Sequence, residues 1–95
     1  MKELIKYLYN WNTVISAHYL GTLTPENEKY YNRVSNCLQR LTDEEREIIY
    51  YMIINHHTVK DTYDERGCLA TNYRRRNRAL AKLYFMIEGR YNDKL

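Results

Sequence analysis

One proline and three glycines are all that punctuate this chain: Gly21, Pro25, Gly67 and Gly89. These two residue types break helices most readily. So few breaks over 95 residues favour long helices over a turn-rich all-β fold. Their placement agrees, because Gly21 and Gly89 each follow a helical run and Pro25 stands behind Thr24 at the start of another.

Apolar spacing fills in the segments. Leu4, Leu8, Trp11 and Ile15 recur at intervals of four, three and four, one face of a helix over 3–20 that Gly21 stops. Thr24 as N-cap, Pro25 in the first turn and Glu26 and Glu28 near the positive end open a second helix. Tyr30, Tyr31, Val34, Cys37, Leu38 and Leu41 follow it at helical spacing. Thr42-Asp43-Glu44-Glu45 has the form of a capping box, and Ile48, Ile49, Met52 and Ile53 give the core face of the helix it starts. After Asn55-His56-His57, a short helix is expected from Thr58 to about Arg66, then a turn at Gly67. The last helix begins between Ala70 and Asn72, runs to about Glu88 and ends on Gly89, ahead of a frayed tail. The expected fold is all-α, about five helices in one domain: a helical pair over 1–40, a second unit over 41–89 and a tail over 90–95.

Composition narrows the class. Apolar content of 44% is enough for a core, but a chain this short must build that core efficiently or share it with a partner. No run of about 18 apolar residues exists to cross a membrane. Glu3, Asn10, Trp11 and Asn12 interrupt any signal-like apolar stretch, so a cytoplasmic protein is expected. Cys37 and Cys68 read as two separate thiols. The 11 tyrosines, against one Phe and one Trp, are read as the mark of an AT-rich genome more than as a stacking platform.

Signals of chemistry are weak. His56 and His57 are adjacent, so on a helix they point about 100° apart and do not share one ion. No Cys or carboxylate completes a zinc spacing around them. Asp43, Glu44, Glu45 and Glu47 are explained by capping and the helix dipole. No phosphate-cradling glycine loop and no nucleophile motif occurs. Neither an enzyme, nor a metal site, nor a cofactor is expected.

Charge is where the sequence speaks of function. Residues 66–95 hold eight Lys/Arg and two acids, a charge of +6, whereas residues 1–65 hold seven and ten, a charge of −3. With Arg74 set at zero on a helical wheel, Arg78 falls at about 40°, Lys82 at about 80° and Arg75 at about 100°, with Thr71 joining this stripe. Arg76, Leu83, Ile87, Leu80, Tyr73 and Tyr84 span roughly 180–280°, so the apolar members face the core and Arg76 borders it. Phe85 and Met86 point at about 20° and 120°, off that face, which hints at a dimer contact or at packing by the N-terminal helices. No acid between Arg66 and Ile87 is available to neutralise the stripe within the helix. A basic stripe of this kind is the electrostatic footprint of a polyanion binder.

At this point a family likeness emerges. Leu41-Thr42-Asp43-Glu44-Glu45-Arg46-Glu47-Ile48-Ile49 resembles the opening helix of region four in sigma-70-type factors, and Ala79-Leu80-Ala81-Lys82-Leu83 resembles the end of that region's recognition helix. Thr71-Asn72-Tyr73-Arg74-Arg75-Arg76-Asn77-Arg78-Ala79-Leu80 is similar to small phage transcriptional regulators of the RinA and ArpU type. The resemblance covers residues 41–88 and implies a sigma-like helix-turn-helix whose last helix enters the major groove. It implies a DNA-binding transcriptional regulator of a phage or mobile element in a low-GC Gram-positive host. Double-stranded DNA is the implied partner. Asn72, Arg74 and Arg75 are the candidates for base edges, Arg78 and Lys82 for phosphates, Thr71 for the same face, and Lys60 for the backbone as the short helix crosses it. Operators are commonly read by two-fold dimers, which raises the expectation of a homodimer. The sequence departs from the family where Tyr63 replaces a small residue, Arg66 replaces an apolar one, and the turn between Gly67 and Thr71 is about one residue short. Those departures favour a second reading: a protein-interaction module that binds RNA polymerase, a sigma factor or another regulator. Structured RNA is a third, weaker ligand class for the same charges.

Overall fold

The computed structural model describes residues 2–55 and 69–89. Among them the chain is all-helical: α1 Lys2–Tyr9, α2 Trp11–Leu20, α3 Pro25–Gln39, α4 Asp43–Ile49, a π-helical continuation of α4 over Tyr50–Ile54, and α5 Leu69–Ile87. The all-α expectation holds, with five α-helices among the described residues. The short helix expected over 58–66, the Gly67 turn, His56, His57, Lys60, Tyr63, Cys68 and the tail from Arg90 lie outside the described residues.

The helix expected over 3–20 is two helices. Asn10 leaves helical geometry at φ −101° and ψ 15°. Its side-chain amide donates to the Lys6 carbonyl at 3.0 Å, and its own carbonyl accepts from the Val14 amide at 3.0 Å. Asparagine therefore closes one helix and opens the next, a use of its short polar side chain that apolar spacing does not report. Gly21 ends α2 at φ +71°, with its amide donating to the His18 carbonyl at 3.1 Å and the Thr22 amide to the Ala17 carbonyl at 3.0 Å. That is the Schellman arrangement, and its left-handed residue suits glycine.

The starts of α3 and α4 follow their caps. Thr24 Oγ1 accepts from the Asn27 amide at 3.2 Å, with Pro25 in the first turn. The Thr42 capping box is complete: Oγ1 accepts from the Glu45 amide at 3.2 Å, and Glu45 Oε1 accepts from the Thr42 amide at 2.8 Å. After Ile49 the helix widens, and the Asn55 amide reaches the Tyr50 carbonyl five residues back, at 2.8 Å. The wider turn buries Met52, Ile53 and Ile54 in succession, one residue more than the expected core face.

One apolar cluster joins every element: Leu4, Leu8 and Trp11 from the N-terminal pair, Val34, Cys37 and Leu38 from α3, the isoleucines of α4 and its continuation, and Leu80 and Leu83 from α5. α5 packs on α3 and α4, while α1 packs on the π-helical segment. The first two helices thus complete the core, as a chain this small requires. Trp11 stacks on Tyr31 at 5.2 Å and Tyr31 on His18 at 4.3 Å between ring centres. His18 Nδ1 also lies against Glu28 Oε1, so this histidine stands between α2 and α3. Burial pushes the Cys37 thiol up, against the smaller opposing effects of Arg40 and Arg33, and it is free. No helix among the described residues is long and apolar enough to cross a membrane.

Candidate nucleic-acid interface

α5 carries the site because one of its faces is held by the core. Among its residues whose burial is described, Asn72, Ala79, Leu80, Leu83, Met86 and Ile87 are buried. On the wheel they span about 120–240° from Arg74, a face shifted from the expected one. Tyr73 is exposed as a result, and Met86 belongs to the core. Phe85 stays exposed, so of that pair only Phe85 remains on the outer surface. Arg76 is half-buried, with its guanidinium carbon 5.9 Å from the centre of the Tyr73 ring. Its stem borders the core while its head stacks on a neighbouring turn, as its place on the wheel implied.

Turned outward are Arg74, Arg75, Asn77 and Arg78. Arg74 and Arg78 stand one turn apart and point the same way. Asn77, absent from the sequence-based set, is exposed on the Arg74 side of this face. It lies three residues after Arg74, a helical-neighbour spacing that was available as a signal.

Three expected contacts change. Asn72 is 0% exposed and cannot reach a base edge from there. Its angle, about 160° from Arg74, puts it between Leu83 and Met86, inside the core face. Lys82 turns toward α4 and does not stand outward with the arginines. Its ammonium donates to Glu45 Oε1 at 3.0 Å, with both side chains 22% exposed. Thr71 is half-buried, although its angle of about 60° from Arg74 lies within the stripe.

The Lys82–Glu45 pair ties α5 to the first turn of α4, and Glu45 Oε1 serves both the ammonium and the Thr42 amide. Burial opposes the charge on Glu45. The Thr42 amide, the Thr42 hydroxyl and Lys82 together outweigh it and hold the carboxyl below its usual value of 4.5. Beside this strut lies a cleft of about 300 Å³ with Thr42, Glu44 and Glu45 on the α4 side and Arg75 and Arg78 on the α5 side, lined also by the buried Ile48 and Ala79. Asp43 is engaged by Arg46 at 2.6 Å. The acids of the capping box therefore do more than cap, since two of them border the arginine face. Sequence spacing could not reveal this, because the pairing spans 37 residues.

Chemically, the outward face offers three guanidiniums and one carboxamide on a braced helix. Guanidinium forks match guanine edges and phosphates, and a carboxamide matches adenine. No protein-family model matches the chain, and neither a curated protein nor a solved structure matches it.

Proposed function

We propose that this protein is a sequence-specific, non-catalytic regulator of transcription that binds double-stranded DNA through the outward face of α5, in the cytoplasm of a bacterium carrying a phage or related mobile element. The observation that carries the reading is the joint exposure of Arg74, Arg75, Asn77 and Arg78 on a helix whose opposite face is locked into the core. A braced helix can be seated in a major groove without losing its shape, and its arginines can divide between base edges and phosphates. Arg74 and Asn77 are the readers in this proposal, Arg75 and Arg78 lie on the flank toward α4 as phosphate contacts, and Lys82 is a strut. The family likeness over 41–88 points the same way.

The test is fluorescence anisotropy of the purified protein with its own upstream duplex and a scrambled duplex across a salt series. The Arg74→Ala/Arg75→Ala/Arg78→Ala variant runs beside it, with circular dichroism to verify folding. Salt-sensitive binding that prefers the native duplex and disappears in the variant is expected. A well-folded protein that binds neither duplex at low salt overturns the reading.

One observation favours a protein partner instead. Glu44 and Glu45 border the arginine face, giving a surface of mixed sign, better suited to another protein than to an unbroken polyanion. On that alternative the chain docks RNA polymerase, a sigma factor or another regulator. Capture that survives nuclease treatment and is lost on Arg78→Glu is the outcome that would support it.

A further inference from the structure

Glu44 favours the positive end of α4 but takes no part in the capping box. Its neighbours are occupied, Asp43 by Arg46 and Glu45 by Thr42 and Lys82. Glu44 is exposed and lines the cleft whose other wall is Arg75 and Arg78. It makes no ion pair within 4.0 Å among the described residues, so its negative charge stands opposite the arginines without being consumed by one of them. A DNA phosphate approaching the α4 side of α5 enters the same space and meets the same sign of charge.

We infer that Glu44 is a selectivity residue of the α5 surface, an intramolecular competitor that weakens phosphate binding at Arg75 and Arg78. This rests on the DNA-binding reading. Like charge placed beside a cationic face penalises every duplex through its backbone, whatever its sequence. Stable binding then depends on the contacts of Arg74 and Asn77 with base edges, so the acid suppresses non-specific association. Lys82 holds Glu45 in the opposite sense, which leaves Glu44 as the carboxylate that acts on the ligand.

The experiment compares Glu44→Gln with Glu26→Gln in the full chain, by anisotropy on the native and scrambled duplexes over a salt series. The two variants change net charge equally, but Glu26 opens α3 and Thr42 follows its other end, about 20 Å away along the helix, beyond the screening length of about 10 Å at 0.1 M salt. Glu44→Gln is expected to tighten binding of both duplexes about two- to fivefold at low salt. It is also expected to steepen the salt slope toward one further phosphate, about 0.9, and to leave the native duplex less strongly preferred. Glu26→Gln is expected to match wild type. Equal binding by Glu44→Gln and wild type, or equal gains in both variants, overturns the inference while DNA binding itself stands. A folded wild type that binds no duplex overturns both.

Discussion

Glu45 is one side chain with two separable duties, and the structure lets each be weighed. Its Oε1 accepts from the Thr42 amide at 2.8 Å and from Lys82 Nζ at 3.0 Å. Glutamine at this position keeps an oxygen for the Thr42 amide but loses the charge that attracts Lys82. At 22% exposure on both sides, the pair is worth about 1 kcal/mol or somewhat less. Alanine also removes the acceptor for the Thr42 amide, a further loss of about 1 kcal/mol. Because about 1 kcal/mol shifts the melting point of a domain this size by roughly 4–8 °C, Glu45→Gln should melt about 5 °C below wild type and Glu45→Ala about 10 °C below. The folded carboxyl titrates below the unfolded value of 4.5, so this stabilisation is complete above that value and is lost as the pH falls through the folded one. Melting followed by circular dichroism at neutral pH and at several acid pH values should show the Glu45→Ala deficit shrinking on the acid side. A cycle of Glu45→Gln with Lys82→Gln isolates the pair. Additivity within about 0.3 kcal/mol, or equal melting of the Gln and Ala variants, would refute the shared-oxygen account.

Two further outcomes follow from burial. Asn72→Ala, which truncates a polar side chain with no exposed surface, should destabilise the fold by about 1–3 kcal/mol in denaturant titration, while the folded fraction keeps the base preferences of wild type. The Tyr7 hydroxyl is pushed up to about 12 by burial, with the charges of Tyr30 and Tyr31 adding to it. Stability from keeping it neutral is therefore present below the unfolded value of 10.0 and lost as the pH rises through about 12. Tyr7→Phe should give a shallower alkaline unfolding limb, with one late-titrating tyrosinate gone from the ultraviolet titration.

The fold was legible wherever local chemistry decides it. Thr24-Pro25 and the Thr42 capping box announce the starts of α3 and α4 by residue type alone, and Gly21 announces the stop of α2. The break at Asn10 was not legible, because the apolar spacing of Leu4, Leu8, Trp11 and Ile15 runs through it and two hydrogen bonds around one asparagine make the bend. Nor was the widening after Ile49, which depends on how Met52, Ile53 and Ile54 find room in the shared core. The site divides the same way. Arg74, Arg75 and Arg78 were placed outward from periodicity and are exposed. The same arithmetic, applied to Asn72, puts it among the core residues, so that miss lay in the use of the signal. For Lys82 the wheel gave a direction, but only the tertiary structure supplies Glu45 to meet it.

The division of labour on α5 bounds what the salt dependence can be. If all the outward cations of the sequence-based stripe met phosphates, Lys82 would count among them. With Lys82 held by Glu45, three arginines remain, and those engaged with base edges release fewer counterions than those on phosphates. At about 0.9 per phosphate on duplex DNA, the magnitude of the logarithmic salt slope from this helix should not exceed about 3, and Lys82→Gln should leave it unchanged while lowering the melting point. A slope well above that limit would mean that cations beyond Arg74, Arg75 and Arg78 reach the duplex. A loss of about 0.9 in slope on Lys82→Gln would mean that the ammonium leaves Glu45 for phosphate when DNA arrives. The same titration therefore separates a strut that stays in the fold from a contact that the fold only stores.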